Sequence, residues 1–229
     1  MKSNAARILI ANALSTFIAF SALAGPTPIT AGLRLDTLAD AHVIFGEEEP
    51  NFIDIDFENA FQVETLNPMT VAAMAASVDG DASVVTSGWA HASWKNPSAG
   101  RVEFRGLGWT TKKVTANGRA AINSNATLPY WIYTVVPDVD TVFTISWDVK
   151  ANGTDTSGLN GFEFSLDQAP QQSMELNTSG TASVVLSAGT SYLLGITTKS
   201  DTDPTFLGTP LGTRSAHMNG IFKWKMKPL

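Results

Sequence analysis

Apolar and polar residues alternate strictly along much of this chain, and a period of two fits one regular backbone, the half-buried β-strand. The clearest run is Val142–Lys150. There Phe143, Ile145, Trp147 and Val149 would face inward, while Thr144, Ser146, Asp148 and Lys150 face water. Phe162, Phe164 and Leu166 alternate with Glu163, Ser165 and Asp167, and Phe222, Trp224 and Met226 with Lys223, Lys225 and Lys227. Near the start, Ile53, Ile55 and Phe57 alternate with Asp54, Asp56 and Glu58. Further strands are expected over 71–78, 83–94, 101–109, 130–136, 183–186 and 192–198.

Turn dipeptides separate these runs: Asp79-Gly80, Asn96-Pro97, Asn117-Gly118, Pro137-Asp138, Asn152-Gly153, Ser179-Gly180 and Ala188-Gly189. About ten short strands joined by polar turns indicate an all-β, antiparallel β-sandwich, jelly-roll-like in its wrap. One short helical turn is expected over 36–41, with Asp36 as its N-cap. No repeat or Pro/Ser-rich linker divides the chain, so residues 25–229 read as a single β-sandwich domain. The acidic row Asp54, Asp56, Glu58 and the basic row Lys223, Lys225, Lys227 read as two solvated faces. The sharper alternative makes their strands neighbours that close the sheet through opposite charges.

Residues 1–24 read as a signal peptide. Lys2 and Arg7 precede an apolar run from Ile8 to Leu23, and Ala22-Leu23-Ala24 supplies a small-x-small cleavage pattern. Asn12, Ser15, Thr16 and Ser21 interrupt the run, which falls short of the ~20 strongly apolar residues of a membrane span. Cleavage after Ala24 would leave a secreted or periplasmic protein with no membrane span and would deepen the net charge from −6 to −8. The absence of cysteine excludes thiolate catalysis, a Cys-based zinc site and a disulfide framework. An exported domain without disulfides must rest on one large core. The acidic balance, 15 basic against 21 acidic residues with no basic cluster, argues against a nucleic-acid partner.

Chemistry leaves fainter marks. The three histidines, His42, His91 and His217, form no metal-ligand spacing, and neither a G-x-S-x-G elbow nor a phosphate-binding glycine loop is present. Gly106-Leu107-Gly108 reads only as a glycine pair at a strand end. The pairs Asp79/Asp81, Asp138/Asp140 and Asp201/Asp203 fall in expected turns, where Asp commonly caps its own backbone. The loop from Lys199 to Arg214 is long and without strand character, so Asp201 and Asp203 are the candidate ligands should calcium bind. Of six tryptophans, Trp147 and Trp224 share faces with core residues. Trp89, Trp94 and Trp109 flank small residues and loops, and with His91, which shares a strand face with Trp89 and Ser93, they form the candidate ligand-binding set. The competing reading for each of these four is a core or structural role. Sequons at Asn125, Asn152 and Asn177 mark loops that could be exposed.

Three stretches carry a resemblance: 131–167 (WIYTVVPDVDTVFTISWDVKANGTDTSGLNGFEFSLD), 87–104 (SGWAHASWKNPSAGRVEF) and the ending NGIFKWKM. Together they resemble secreted bacterial β-sandwich proteins of the PEP-CTERM, exosortase-sorted type. That resemblance implies export and association with exopolysaccharide and the biofilm matrix, and it carries over no catalytic residue. The chain ends Lys227-Pro228-Leu229 without the PEP box, apolar helix and basic tail of that type, so anchoring by that route is not expected. The expectation is a secreted, non-enzymatic extracellular matrix or surface module that binds polysaccharide, with matrix proteins as further partners. The alternatives are a secreted glycan-active enzyme, such as a jelly-roll lyase or hydrolase, and a structural subunit that self-assembles through sheet edges. Exposed aromatics without titratable partners would favour binding, convergent carboxylates or a His/Tyr pair an enzyme, and a long uncharged edge strand assembly.

Overall fold

A computed structural model describes residues 25–44, 55–63, 66–79, 82–113, 119–123, 130–156, 159–199, 205–207 and 212–229. Among the described residues, the alternating runs of the sequence form ladders. Tyr130–Val136 and Tyr192–Thr198 are strands over the expected residues, and Thr141–Gly153 contains the 142–150 run. Fourteen strands follow in order among the described residues. The first five are β1 Thr27–Ile44, β2 Ile55–Val63, β3 Met69–Asp79, β4 Ala82–Asn96 and β5 Ala99–Lys113. Next come β6 Arg119–Asn123, β7 Tyr130–Val136, β8 Thr141–Gly153, β9 Phe162–Leu166 and β10 Ala169–Met174. The last are β11 Thr178–Leu186, β12 Tyr192–Thr198, β13 Thr205–Leu207 and β14 Gly212–Pro228. No helix among the described residues is long and apolar enough to cross a membrane.

The strands form two antiparallel sheets. The first runs β10-β9-β12-β7-β1-β6-β13, with β2 also on β1; the second runs β11-β8-β14-β5-β4-β3. Within them, β7-β12-β9-β10 faces β5-β14-β8-β11, and the chain from β5 to β14 crosses between the layers as an eight-stranded jelly roll does. The β3 and β4 strands widen one layer, and β1 with its partners widens the other.

The core lies between the layers and is largely aromatic. Ring pairs join one sheet to the other: Phe104–Phe162 at 5.5 Å, Phe143–Phe164 at 5.3 Å and Tyr133–Trp224 at 5.1 Å between centroids. Such pairs add about 0.5–1.5 kcal/mol each beyond the area they bury. The Tyr133 hydroxyl donates to the Pro97 carbonyl at 3.0 Å, and burial pushes its phenol well above the usual tyrosine range.

Several expectations are corrected. Residues 36–41 form no helical turn; they continue β1, laddered to β2 from Asp36↔Asn59 to Asp40↔Ile55. Tertiary pairing there overrides a local pattern that suited a helix. The acidic and basic rows do not meet, because β2 belongs to the first sheet and β14 to the second; Asp54 lies outside the described residues. Ser179-Gly180 is no turn but the interior of β11, where Gly180 pairs with Trp147. A Cβ on Gly180 would lie 2.3 Å from the Trp147 ring, so the glycine makes room for the indole. The 199–214 segment does carry strand: β13 and the start of β14 lie in it.

Candidate functional site

The outer face of the second sheet brings charged and aromatic side chains together. It begins at the β4–β5 hairpin, whose turn is set by Asn96: its Oδ1 accepts the Ser98 N–H at 2.9 Å. The register then places Ser93 opposite Arg101, His91 opposite Glu103 and Trp89 opposite Arg105. Beyond β5, Glu103 faces Ile221 and Arg101 faces Lys223 on β14.

Glu103 is the unusual member. Outer-face residues of a sandwich are normally wet, yet its side chain is only 7% exposed, covered by Arg101 and Arg105 from the same strand. Arg101 Nη2 donates to Glu103 Oε2 at 2.9 Å, and Arg105 ion-pairs with Oε1. The Arg101 and Arg105 side chains remain 41% and 61% exposed, so they hold the carboxylate and still face solvent. Arg105 also lies over the Trp89 ring, 5.1 Å from its centroid, a cation–π contact. Trp89 and His91, both half-buried, hold their rings 5.8 Å apart and 14° from parallel. Thr70 Oγ1 fixes His91 through Nδ1 at 2.8 Å. The result is a two-ring aromatic platform with a cationic flank and, among the described residues, no exposed carboxylate beside it.

Of the sequence candidates, Trp89 and His91 stand together here. Trp94 and Trp109 do not. Trp94 packs inward, its ring tilted against Tyr133 at 6.2 Å, and Trp109 is fully buried in the core. A β-bulge explains Trp109. Between Ser87↔Gly108 and Trp89↔Arg105 the β5 strand carries one residue more than β4, and Gly106 takes up the excess at φ +59°. The inward set therefore switches from Val102 and Phe104 to Leu107, Trp109 and Thr111, all buried. Without that extra residue, Trp109 would share the outer face with Arg105. Asn219 seats the bulge, its Oδ1 accepting the Gly106 N–H at 2.8 Å.

Asp201 and Asp203 lie outside the described residues, and His42 belongs to β1. His217 contacts Thr110 Oγ1 through Nε2 at 3.3 Å. Among the described residues no three His, Asp or Glu side chains stand close enough to hold a metal ion. Sequence reasoning missed Glu103 and its two arginines. Their signal was Arg101-x-Glu103-x-Arg105, three charges on one strand face.

A second concavity, about 650 Å³, opens beside the first sheet among Leu159, Glu163, Glu175, Thr197 and Lys199. Lys199 Nζ lies 2.6 Å from Glu175 Oε1, and Ser173 Oγ donates to the same oxygen at 3.0 Å. The Lys199 hydrogen bond, with Ser173 and the Lys199 charge behind it, holds Glu175 below the ordinary carboxylate range. An ionised, lysine-bound carboxylate is unsuited to the protonated-acid role that glycoside hydrolysis requires of one partner.

Fold and face together define a jelly-roll β-sandwich with an aromatic and cationic platform on one outer sheet face. No family model and no curated protein matches the chain. Among solved structures, a partial match is the crystal structure of a GH31 alpha-xylosidase from Xanthomonas citri. It has 8% sequence identity over 75% of this chain and 26% of that one, at a TM-score of 0.23. The chain thus spans about a quarter of that protein's length, and a likeness at this score bears on neither fold nor activity.

Proposed function

We propose that this protein is a secreted, non-enzymatic matrix or surface module that binds polysaccharide on the outer face of its second sheet. The observation that carries this reading is the platform itself: Trp89 and His91 near parallel and half-exposed, flanked by Arg105 and fixed by Thr70. An apolar ring face at an open sheet surface suits the apolar face of a sugar ring, and flanking donors suit its hydroxyls. The one carboxylate within the platform, Glu103, is buried and committed to two arginines, which leaves it no room to act as acid or base. Retention of residues 25–229 on a glycan array, with no product released and with retention lost in Trp89→Ala, is the expected result. Product release would replace this reading with an enzyme, and silence on every glycan would remove it.

A second reading, assembly through a sheet edge, is favoured by β11. This strand closes one rim of the second sheet, carries no charged residue along nine positions, and exposes Val185 at 57%. Uncharged edges of that length invite pairing with another chain. Concentration-dependent growth in light scattering, abolished by Val185→Lys, would support it, and a monomer at all concentrations would exclude it.

A further inference from the structure

We propose that the polysaccharide taken by this face is a polyanion, a linear chain bearing carboxylates on successive sugars. The inference rests on the outer-face binding reading above and names the ligand class for it. Its ground is charge segregation. The chain as a whole carries −6. Yet the register puts Arg101, Arg105, Lys150, Lys223, Lys225 and Lys227 on this one face. Lys95 and Lys112 project from the same face, making eight of the 11 basic side chains that the structure describes, against Glu103 and Asp148 from the eight described acidic ones. Both acids are already matched, Glu103 by its two arginines and Asp148 by Lys150 at 3.4 Å. The exposed ammonium groups of Lys223, Lys225 and Lys227 pair with no carboxylate among the described residues.

The shape agrees with the charge. A single register row runs Ser93, Arg101, Lys223, Ser146, Thr181 straight across five strands. Three adjoining depressions of about 360, 320 and 150 Å³ follow that row, and Lys223 lines all three. With strands about 4.8 Å apart, the trough is about 19 Å long, room for several sugar units. It offers cations for carboxylates and Ser or Thr hydroxyls for sugar hydroxyls. The adjacent row holds His91, with Trp89 one row further, so the aromatic platform borders the trough.

Charge spacing separates this ligand from nucleic acid. Along the trough the cations are Arg101 and Lys223, and the β14 lysines cross it at ~6.8 Å intervals, whereas duplex DNA carries a charge every ~1.7 Å along its axis. Cations this sparse match a sparse line of charge, and a chain of net charge −6 repels a dense one.

The test uses residues 25–229 with polygalacturonate, with its fully methyl-esterified form and with duplex DNA, in biolayer interferometry at low and high salt. Polygalacturonate is expected to bind about tenfold or more tighter than the ester, an advantage that salt removes. The Lys223→Gln/Lys225→Gln/Lys227→Gln variant should lose that advantage at an unchanged melting temperature. The ester and salt arms need no variant, so they decide the matter even if the triple variant fails to fold. Equal binding of acid and ester, both lost in Trp89→Ala, would overturn the polyanion inference and leave the binding face standing. Tighter binding of DNA than of polygalacturonate would also overturn it. Binding of neither polysaccharide, with none retained on a wider glycan array, would remove the reading on which it rests.

Discussion

At φ +59° the Gly106 backbone sits in the left-handed region, and a Cβ built there meets no atom within 4 Å. The cost of replacing this residue is therefore conformational and not steric. Gly106→Val should destabilise the fold by about 1–2 kcal/mol in urea denaturation, and Gly106→Asn by distinctly less, because Asn tolerates this region. Tyr133 makes a different statement. Its buried phenol keeps its proton to higher pH than an unfolded tyrosine, which ionises near ~10. The folded state then binds more protons above that pH, so this contribution is intact below pH ~10 and is lost as pH rises further. Tyr133→Phe is expected to cost about 1 kcal/mol at neutral pH through the Pro97 hydrogen bond. It should also flatten the alkaline decline in melting temperature, and an unchanged alkaline slope would count against the burial effect. At this scale the sequence was legible where one residue type carries one meaning. Trp89 and His91 stood out and proved to be neighbours in space. Glu103 did not, because nothing in Arg-x-Glu-x-Arg says that the middle charge is covered by the outer two.

Elements were legible where alternation was strict and turns were marked. The β7, β8 and β12 strands followed from their patterns, and Asn96-Pro97 and Pro137-Asp138 do separate strands. The misses have physical causes. The β10 strand contains Pro170 and two glutamines and sits at a sheet rim, where pattern and propensity are weak. Its hairpin with β9 turns through Asp167 and Gln168, both at positive φ, without the Asn-Gly that announces such turns. In β1, pairing with β2 holds extended a stretch that local pattern would make helical. The β5 bulge broke the period of two, and with it the placement of Trp109. The β11 strand offers a clean test of element packing. Gly180→Val keeps the ladder but drives a side chain into Trp147, so it should cost about 1–3 kcal/mol by overpacking. A red shift in tryptophan emission should accompany it as the half-buried indole is displaced. Unchanged stability would mean that β11 moves freely against β8.

For the whole molecule, the alternating apolar pattern specified two layers, but the jelly-roll order came from pairings between residues far apart in sequence. No local signal states that β5 will lie beside β14, or β7 beside β12. Folding should accordingly be slow for its size, since loop closure precedes nearly every stabilising contact. Deleting Ile221–Leu229 removes Phe222, Trp224 and Met226 from the core, with five of the 13 ladder pairs to β5 and eight of the 13 to β8. The shortened chain is expected to show no cooperative thermal transition by circular dichroism; a sharp transition would show that the first sheet stands alone. The central place of β14 also bears on the order of events during synthesis. Until β14 is made, β5-β4-β3 and β8-β11 are two separate pieces of sheet, and the second layer closes only when β14 docks between them.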